Sequence, residues 1–358
     1  MRKKCITFVM LFFCLFAAGC QKDSEDKTVK ESEQDYSAES GIQQPVSRDV
    51  FAMDTYMTVT AYGDAAQNAV DEAVAEIERL DEILSTGDEN SEIFALNQQG
   101  GGTISEDTEY LLERSLEIWQ DTDGTFEIGI YPVMQAWGFT SGEYRVPSKE
   151  ELDQLLSLAD SSQISVNQED SSVSFGKDGM EIDLGGIAKG YTSSRIMDIF
   201  RNDGVTSGLV SLGGNVQVLG VKPDGSKWRV AIQSPSGGDE YLGILESEDC
   251  AVITSGGYER YFEEDGVTYH HIIDPSTGYP ADSGLESVSI VSTDGTLADG
   301  LSTALFIMGR EKAEAFWQEH SDEFDAILLD DNGVVYITEG IADDFTSELE
   351  VRVVEKEN

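Results

Sequence analysis

Apolar residues at Val70, Ala73, Val74, Ile77, Leu80 and Leu84 recur at helical spacing and predict an amphipathic helix over 65–85. Leu111, Leu112, Ser115, Leu116 and Trp119 mark another. Ser148 with Glu151 forms a capping box that opens a third just after Pro147. Upstream, FAMDTYMTVTAYG alternates as a strand does, where the globular part begins near Arg48. Short strands dominate from about 163 to 293, interrupted by a helix after Gly190. Helices over 296–309 and 310–319 and strands near 324–338 follow. Runs of strands with interspersed helices, and no internal repeat, predict an α+β fold of mixed or antiparallel sheets with packed helices, not a doubly wound one.

The ends of the chain read differently. Arg2, Lys3 and Lys4 precede an apolar run from Ile6 to Phe16, and Ala17, Ala18 and Gly19 lead into Cys20. This resembles a bacterial lipoprotein signal over 1–19, with lipid on Cys20; an ordinary signal peptide with an incidental cysteine is the alternative. Residues 20–46 form a polar tether, 47–345 the domain and 346–358 a polar tail. Beyond the signal only Cys20 and Cys250 remain, so a lipidated Cys20 leaves no intramolecular disulfide to form.

Charge narrows the partners. Sixty-nine acidic against 23 basic residues give a formal net charge of −46, which repels nucleic acid and anionic headgroups. A phosphate-bearing ligand would need a divalent cation, a helix N-terminus or a few placed lysines and arginines.

Three stretches carry candidate chemistry. In EIDLGGIAKGY (181–191), a strand ending at Asp183 meets Gly185 and Gly186 and then a helix bearing Lys189. Such a turn either lets backbone amides approach a phosphate or simply joins strand to helix. In TLADGLSTALFIMG (296–309), Asp299 is the only charge, with Thr303 one helical turn beyond it. The pair suits a hard cation such as Mg²⁺, or else marks a solvent-facing edge or a capping carboxylate. In HHIIDPSTGYP (270–280), two of the chain's three histidines stand together before a turn at Asp274-Pro275. In an extended segment they face opposite ways, so at most one serves a site directly.

Taken in order, Met53 with Thr55, then DLGGIAKGY, SLGGN, TSGGYER, HHIIDPSTGYP and ADGLSTA closely resemble the ApbE family, the FAD:protein FMN transferases, which are often lipoproteins. The resemblance spans about residues 50–340 and implies an ApbE-like, T-fold-related α+β architecture. It implies Mg²⁺ held by the side chains of Asp299 and Thr303 and a backbone oxygen at Gly186. FAD contacts are implied around Met53, at Thr125, Phe126 and Glu127, at Asp183 and Lys189, and near Ile273. The sequence departs from the family in two places. Some members carry a metal carboxylate where this chain has Thr296, and an aromatic FAD contact where it has Gly87.

The expected activity is Mg²⁺-dependent transfer of the FMN moiety of FAD to a threonine hydroxyl of an acceptor protein, with release of AMP. His271 is the candidate general base, since its unperturbed pKa lies near about 6.5, and Asp274 could share or take the role. Expected acceptors are subunits of membrane redox complexes or extracellular flavoproteins, met on the outer face of the cell membrane through the Cys20 lipid. The alternatives are a Mg²⁺-dependent FAD pyrophosphatase and a non-catalytic flavin-binding lipoprotein, which AMP release with and without acceptor would separate.

Overall fold

The computed structural model describes residues 44–237 and 240–357. The alternating segment at the start is a hairpin rather than one strand: β1 (Val46–Ala52) returns as β2 (Thr55–Ala61). Its two turn residues, Met53 and Asp54, both take positive φ, 48° and 58°, the geometry that matches the twist of paired strands. Period-2 alternation runs unbroken through such a turn, so the sequence pattern hides it.

Helix α1 (Ala66–Leu84) buries Val70, Ala73, Ile77, Leu80 and Leu84, the stripe read from the sequence. Then come α2 (Glu92–Gln99), β3 (Gly101–Thr103), α3 (Glu106–Asp121), α4 (Tyr131–Trp137) and α5 (Lys149–Leu156). The Ser148 hydroxyl accepts from the Glu151 amide at the head of α5, as the capping box predicts. Strand β5 (Ser172–Phe175) pairs with β3 on one side and β4 (Ile164–Asn167) on the other in a small sheet. Helix α2 was not anticipated, because eight residues give too few turns for a periodicity to emerge.

Helix α6 (Ala188–Asn202) leads to β6 (Gly208–Leu212), β7 (Asn215–Leu219), β8 (Trp228–Gln233), β9 (Tyr241–Ser247) and β10 (Ala251–Gly256). Strands β11 (Tyr261–Glu264) and β12 (Val267–His270) form a separate hairpin, and β13 (Leu285–Ser292) precedes α7 (Gly295–Met308) and α8 (Arg310–His320). The chain closes with β14 (Asp325–Asp330), β15 (Val335–Thr338), β16 (Phe345–Thr346) and β17 (Val351–Val354).

Among the described residues nine strands make the main sheet in the order β1-β2-β6-β7-β10-β13-β14-β15-β17, antiparallel except for the last pair. Helices α1, α6 and α7 pack on it, and this is the α+β arrangement expected. The polar tail expected from 346 needs correcting: Val351–Val354 pairs in parallel with β15. All four residues of β15 are buried and need a neighbour on that edge, which four residues with Arg352 among them supply without a strong apolar signal. The sheet also begins one residue inside the expected tether, at Val46. The signal region and Cys20 lie outside the described residues.

Candidate active site

A cleft opens where the head of α6, the inner face of α7, the ends of β7 and β10 and the base of the β11–β12 hairpin converge. Thr125, Phe126, Glu127, Asp183, Gly186 and Lys189 line it, as do His271, Ile273, Asp299 and Thr303. Two of the expected site residues are not among them. The Met53 amide donates to Asp81 Oδ1 at 2.9 Å and its sulfur meets the Thr192 hydroxyl, so Met53 serves the hairpin turn. Asp274 caps its own turn, with Oδ1 accepting from the Ser276 amide at 2.8 Å, and lines a neighbouring outer groove instead.

The contact between α6 and α7 sets the floor. Gly190 lets them meet: a Cβ built there would lie 2.1 Å from the Gly295 carbonyl oxygen and 2.6 Å from Asp299 Cβ. Across this contact the Gly190 amide donates to Asp299 Oδ2 at 2.7 Å, while Asn215 Nδ2 donates to Oδ1 at 3.1 Å. Asp299 is only 4% exposed, and burial raises its pKa above the usual carboxylate value, against the opposing charge of Lys189. It is neither a solvent-facing edge nor the helix cap, a task that falls to Asp294.

One turn along, Thr303 Oγ1 lies 3.3 Å from Ser255 Oγ, and a Cβ on Gly186 would sit 3.9 Å from the same Thr303 oxygen. The Asp299 carboxylate, met by amides rather than by a cation, and the Thr303 hydroxyl offer oxygen donors of the kind a hard divalent ion takes, with the Gly186 turn beside them. Thr296 is buried and lines a second groove, beside Tyr191, Ser194 and Asp294. Gly87 is exposed and has nothing within 4 Å of a built Cβ.

The Gly185-Gly186 turn is closed by Asp183, whose Oδ1 accepts from the Gly185 amide at 2.8 Å. Burial raises the Asp183 pKa as well, with Arg260 and Lys189 opposing. Lys189 sits among Asp183, Glu259 and Asp299, and it supplies the positive charge this acidic chain needs there.

The histidine pair divides its tasks. His270 turns inward, edge-on to Phe306 at 5.6 Å, with Nε2 on the Ala281 carbonyl at 3.1 Å and Nδ1 accepting from the Ile272 amide at 3.3 Å. His271 faces the cleft, and its Nδ1 lies 3.2 Å from the Arg260 carbonyl oxygen. A carbonyl only accepts, so His271 carries its proton on Nδ1 and presents an unprotonated Nε2, the opposite tautomer from His270. Loss of hydration, with the nearby charges of Arg260 and Lys189, pushes the His271 pKa down to about 3, so the ring is neutral.

Asn215, Glu259 and Arg260 also line the cleft, and no role had been assigned to them from sequence. Their signal was present in SLGGN and TSGGYER, which read as family marks without indicating which side chains turn inward. Enclosure by the cleft, reinforced by the Asp299 charge and opposed by Lys189 and Arg260, pushes the Glu259 carboxyl up to about 7.

Comparison with known proteins decides the family. The ApbE family profile matches residues 53–328. The chain belongs to the ApbE family. It is 34% identical over 292 residues to the FAD:protein FMN transferase of Treponema pallidum, covering 77% of this chain and 80% of that one. It is likewise 34% identical over 271 residues to that of Klebsiella pneumoniae, covering 73% and 84%. Among ApbE structures, that of Thermotoga maritima superposes with a TM-score of 0.79 at 31% identity, over 84% of this chain and 99% of the other. The apo flavinyl transferase of Pseudomonas stutzeri gives 0.75 at 29% identity, over 85% and 97%.

Proposed function

We propose that this ApbE-family chain transfers the FMN moiety of FAD to a threonine hydroxyl of an acceptor protein, forming a phosphoester and releasing AMP. The observation that carries the reading is the convergence on one cleft of an Asp299–Thr303 oxygen pair, Lys189 and a neutral His271 with Nε2 free. The curated relatives are FAD:protein FMN transferases, in keeping with that site.

In this reading the acceptor hydroxyl oxygen forms a bond to the FMN phosphorus as the bond to the AMP oxygen breaks. The hydroxyl proton passes to His271 Nε2. Loss of hydration contributes most to the depressed pKa of the ring, and a pyrophosphate entering beside Lys189 and Arg260 would offset the further part that comes from their charges. Lys189 attracts the phosphates, and Asp183 holds the glycine turn below them. Asp299, Thr303 and the Gly186 backbone would hold Mg²⁺, which neutralises phosphate charge when bound. Asp274, committed to its turn, supports the fold of this segment rather than the proton transfer.

The proposal extends to location. A lipid on Cys20, with residues 21–45 as a tether, would hold the domain at the outer face of the membrane, where extracytoplasmic redox subunits or flavoproteins would be its acceptors. Cys20→Ala should then release the protein from the membrane fraction with specific activity intact; retention would contradict the anchor.

The activity is tested with FAD, Mg²⁺ and an acceptor domain, followed by denaturing electrophoresis with in-gel flavin fluorescence and assay of AMP. The reading expects a fluorescent acceptor band and AMP in equal amounts. AMP without acceptor labelling would make the chain a pyrophosphatase, and neither product would make it a binder.

A further inference from the structure

The β11–β12 hairpin ends its ladder at the pair Tyr261–His270, so Arg260 and His271 face each other just beyond it. The Arg260 carbonyl accepts twice from His271, from its amide at 3.0 Å and from ring Nδ1 at 3.2 Å. The Arg260 side chain reaches away, and Nη2 donates to the Phe139 carbonyl at 2.7 Å. Phe139 is itself buried, and its ring lies edge-on to His271 at 6.4 Å.

We infer that Arg260 is the positioning residue for His271: its guanidinium ties the hairpin base to the Phe139 carbonyl, and that tie holds the Arg260 carbonyl where it fixes His271 as the Nδ1–H tautomer with Nε2 free. The inference rests on the reading of His271 as the base and adds the residue that keeps it competent. An untied hairpin base would let the ring turn and place its proton on Nε2, where it could not accept one from the acceptor hydroxyl. Phe139 lies beyond the C-terminal end of α4 and is brought next to His271 only by folding. The same guanidinium acts through charge. With Lys189 on α6 and, more weakly, His270 on β12, it disfavours a second proton on the ring, while the carboxyls of Asp183 and Glu259 line the same cleft.

Three histidines make the test direct, because ring nitrogen–proton correlation spectra carry only three imidazole patterns, assignable with His270→Asn and His320→Asn. Spectra of the FAD-free protein from about pH 5 to 8 report tautomer and protonation together. We expect Nδ1–H for His271 and Nε2–H for His270 in the parent, with His271 neutral throughout. In Arg260→Met the His271 pattern should move toward Nε2–H, and its titration midpoint should rise, read by extending the spectra to acid pH as far as the fold holds. Arg260→Lys keeps the cation but not the planar fork, so it should keep His271 neutral while loosening the tautomer. The unchanged His270 pattern reports an intact fold in each variant. An Nε2–H His271 in the parent, or a His271 pattern that is the same in Arg260→Met and Arg260→Lys as in the parent, would overturn the inference. No FAD or acceptor enters these spectra, so failure here leaves the transfer assay to judge the activity on its own.

Discussion

The Gly190 amide hydrogen-bonds Asp299 Oδ2 at 2.7 Å across a helix contact that no side chain on residue 190 could share. This contact joins DLGGIAKGY to ADGLSTA: the glycine that lets α6 approach α7 also presents the donor that orients the proposed metal carboxylate. Gly190→Ala should force the helices apart, costing at least the roughly 1–3 kcal/mol usual for overpacking. A lower urea midpoint and weaker Mg²⁺ dependence of transfer are expected; parent values in both would mean that the contact yields easily.

The histidine pair should separate cleanly. His271→Asn is expected to lower turnover by roughly 10²–10⁴-fold, the range for loss of a general base, with FAD affinity nearly unchanged. His270→Asn removes a half-buried ring satisfied at both nitrogens, so it should lower the thermal midpoint while folded protein keeps most of its turnover. Asp274→Asn should resemble His270→Asn. Steady-state kinetics beside thermal melts check all three, and equal turnover losses from both histidine substitutions would assign the pair to folding.

Burial of Asp299 has a pH signature. Its pKa is raised in the folded state, so folding favours its protonated form, and that contribution fades as pH rises above the unfolded carboxyl value of 3.8. With metal chelated, Asp299→Asn should therefore gain on the parent in stability as pH rises from 4 toward neutrality, and the gap should then level off. Added Mg²⁺ should reverse the order by binding only the folded parent. Denaturant titrations at several pH values read both effects; a gap between variant and metal-free parent that does not move in the variant's favour between pH 4 and neutrality would contradict this account of the carboxylate.

Lys189 is the test of phosphate attraction. Lys189→Ala should weaken FAD binding at low ionic strength, and the difference from the parent should shrink as salt screens the cleft. Equal affinity at low salt would leave Lys189 without a role toward the phosphates.

Much of this site was legible before the fold was known. Asp299 stood out as a lone charge on an apolar helix, and Lys189 stood at the head of a helix just after two glycines. The opposed histidines followed from strand geometry, although period alone could not say which of the two faced the cleft. What escaped has physical causes. The turn at Met53 and Asp54 is built from residues that rarely take positive φ, so no glycine announced it. The tie from Arg260 to the Phe139 carbonyl joins positions 121 residues apart, beyond the reach of any local pattern. Asp274 stands close to His271 in sequence, whereas in the fold its Oδ1 caps the next turn and it lines the neighbouring groove.

The most direct measurement is a Mg²⁺ titration of FMN transfer by the parent, Asp299→Ala and Thr303→Ala, with circular dichroism as the folding control. Loss of the anionic ligand should bring Asp299→Ala close to background, and excess Mg²⁺ should restore it only in part. Thr303→Ala loses a neutral ligand that water can replace, so its defect should be smaller and largely rescued by added metal. A folded Asp299→Ala that keeps the parent's rate and Mg²⁺ dependence would place the metal elsewhere and contradict the account.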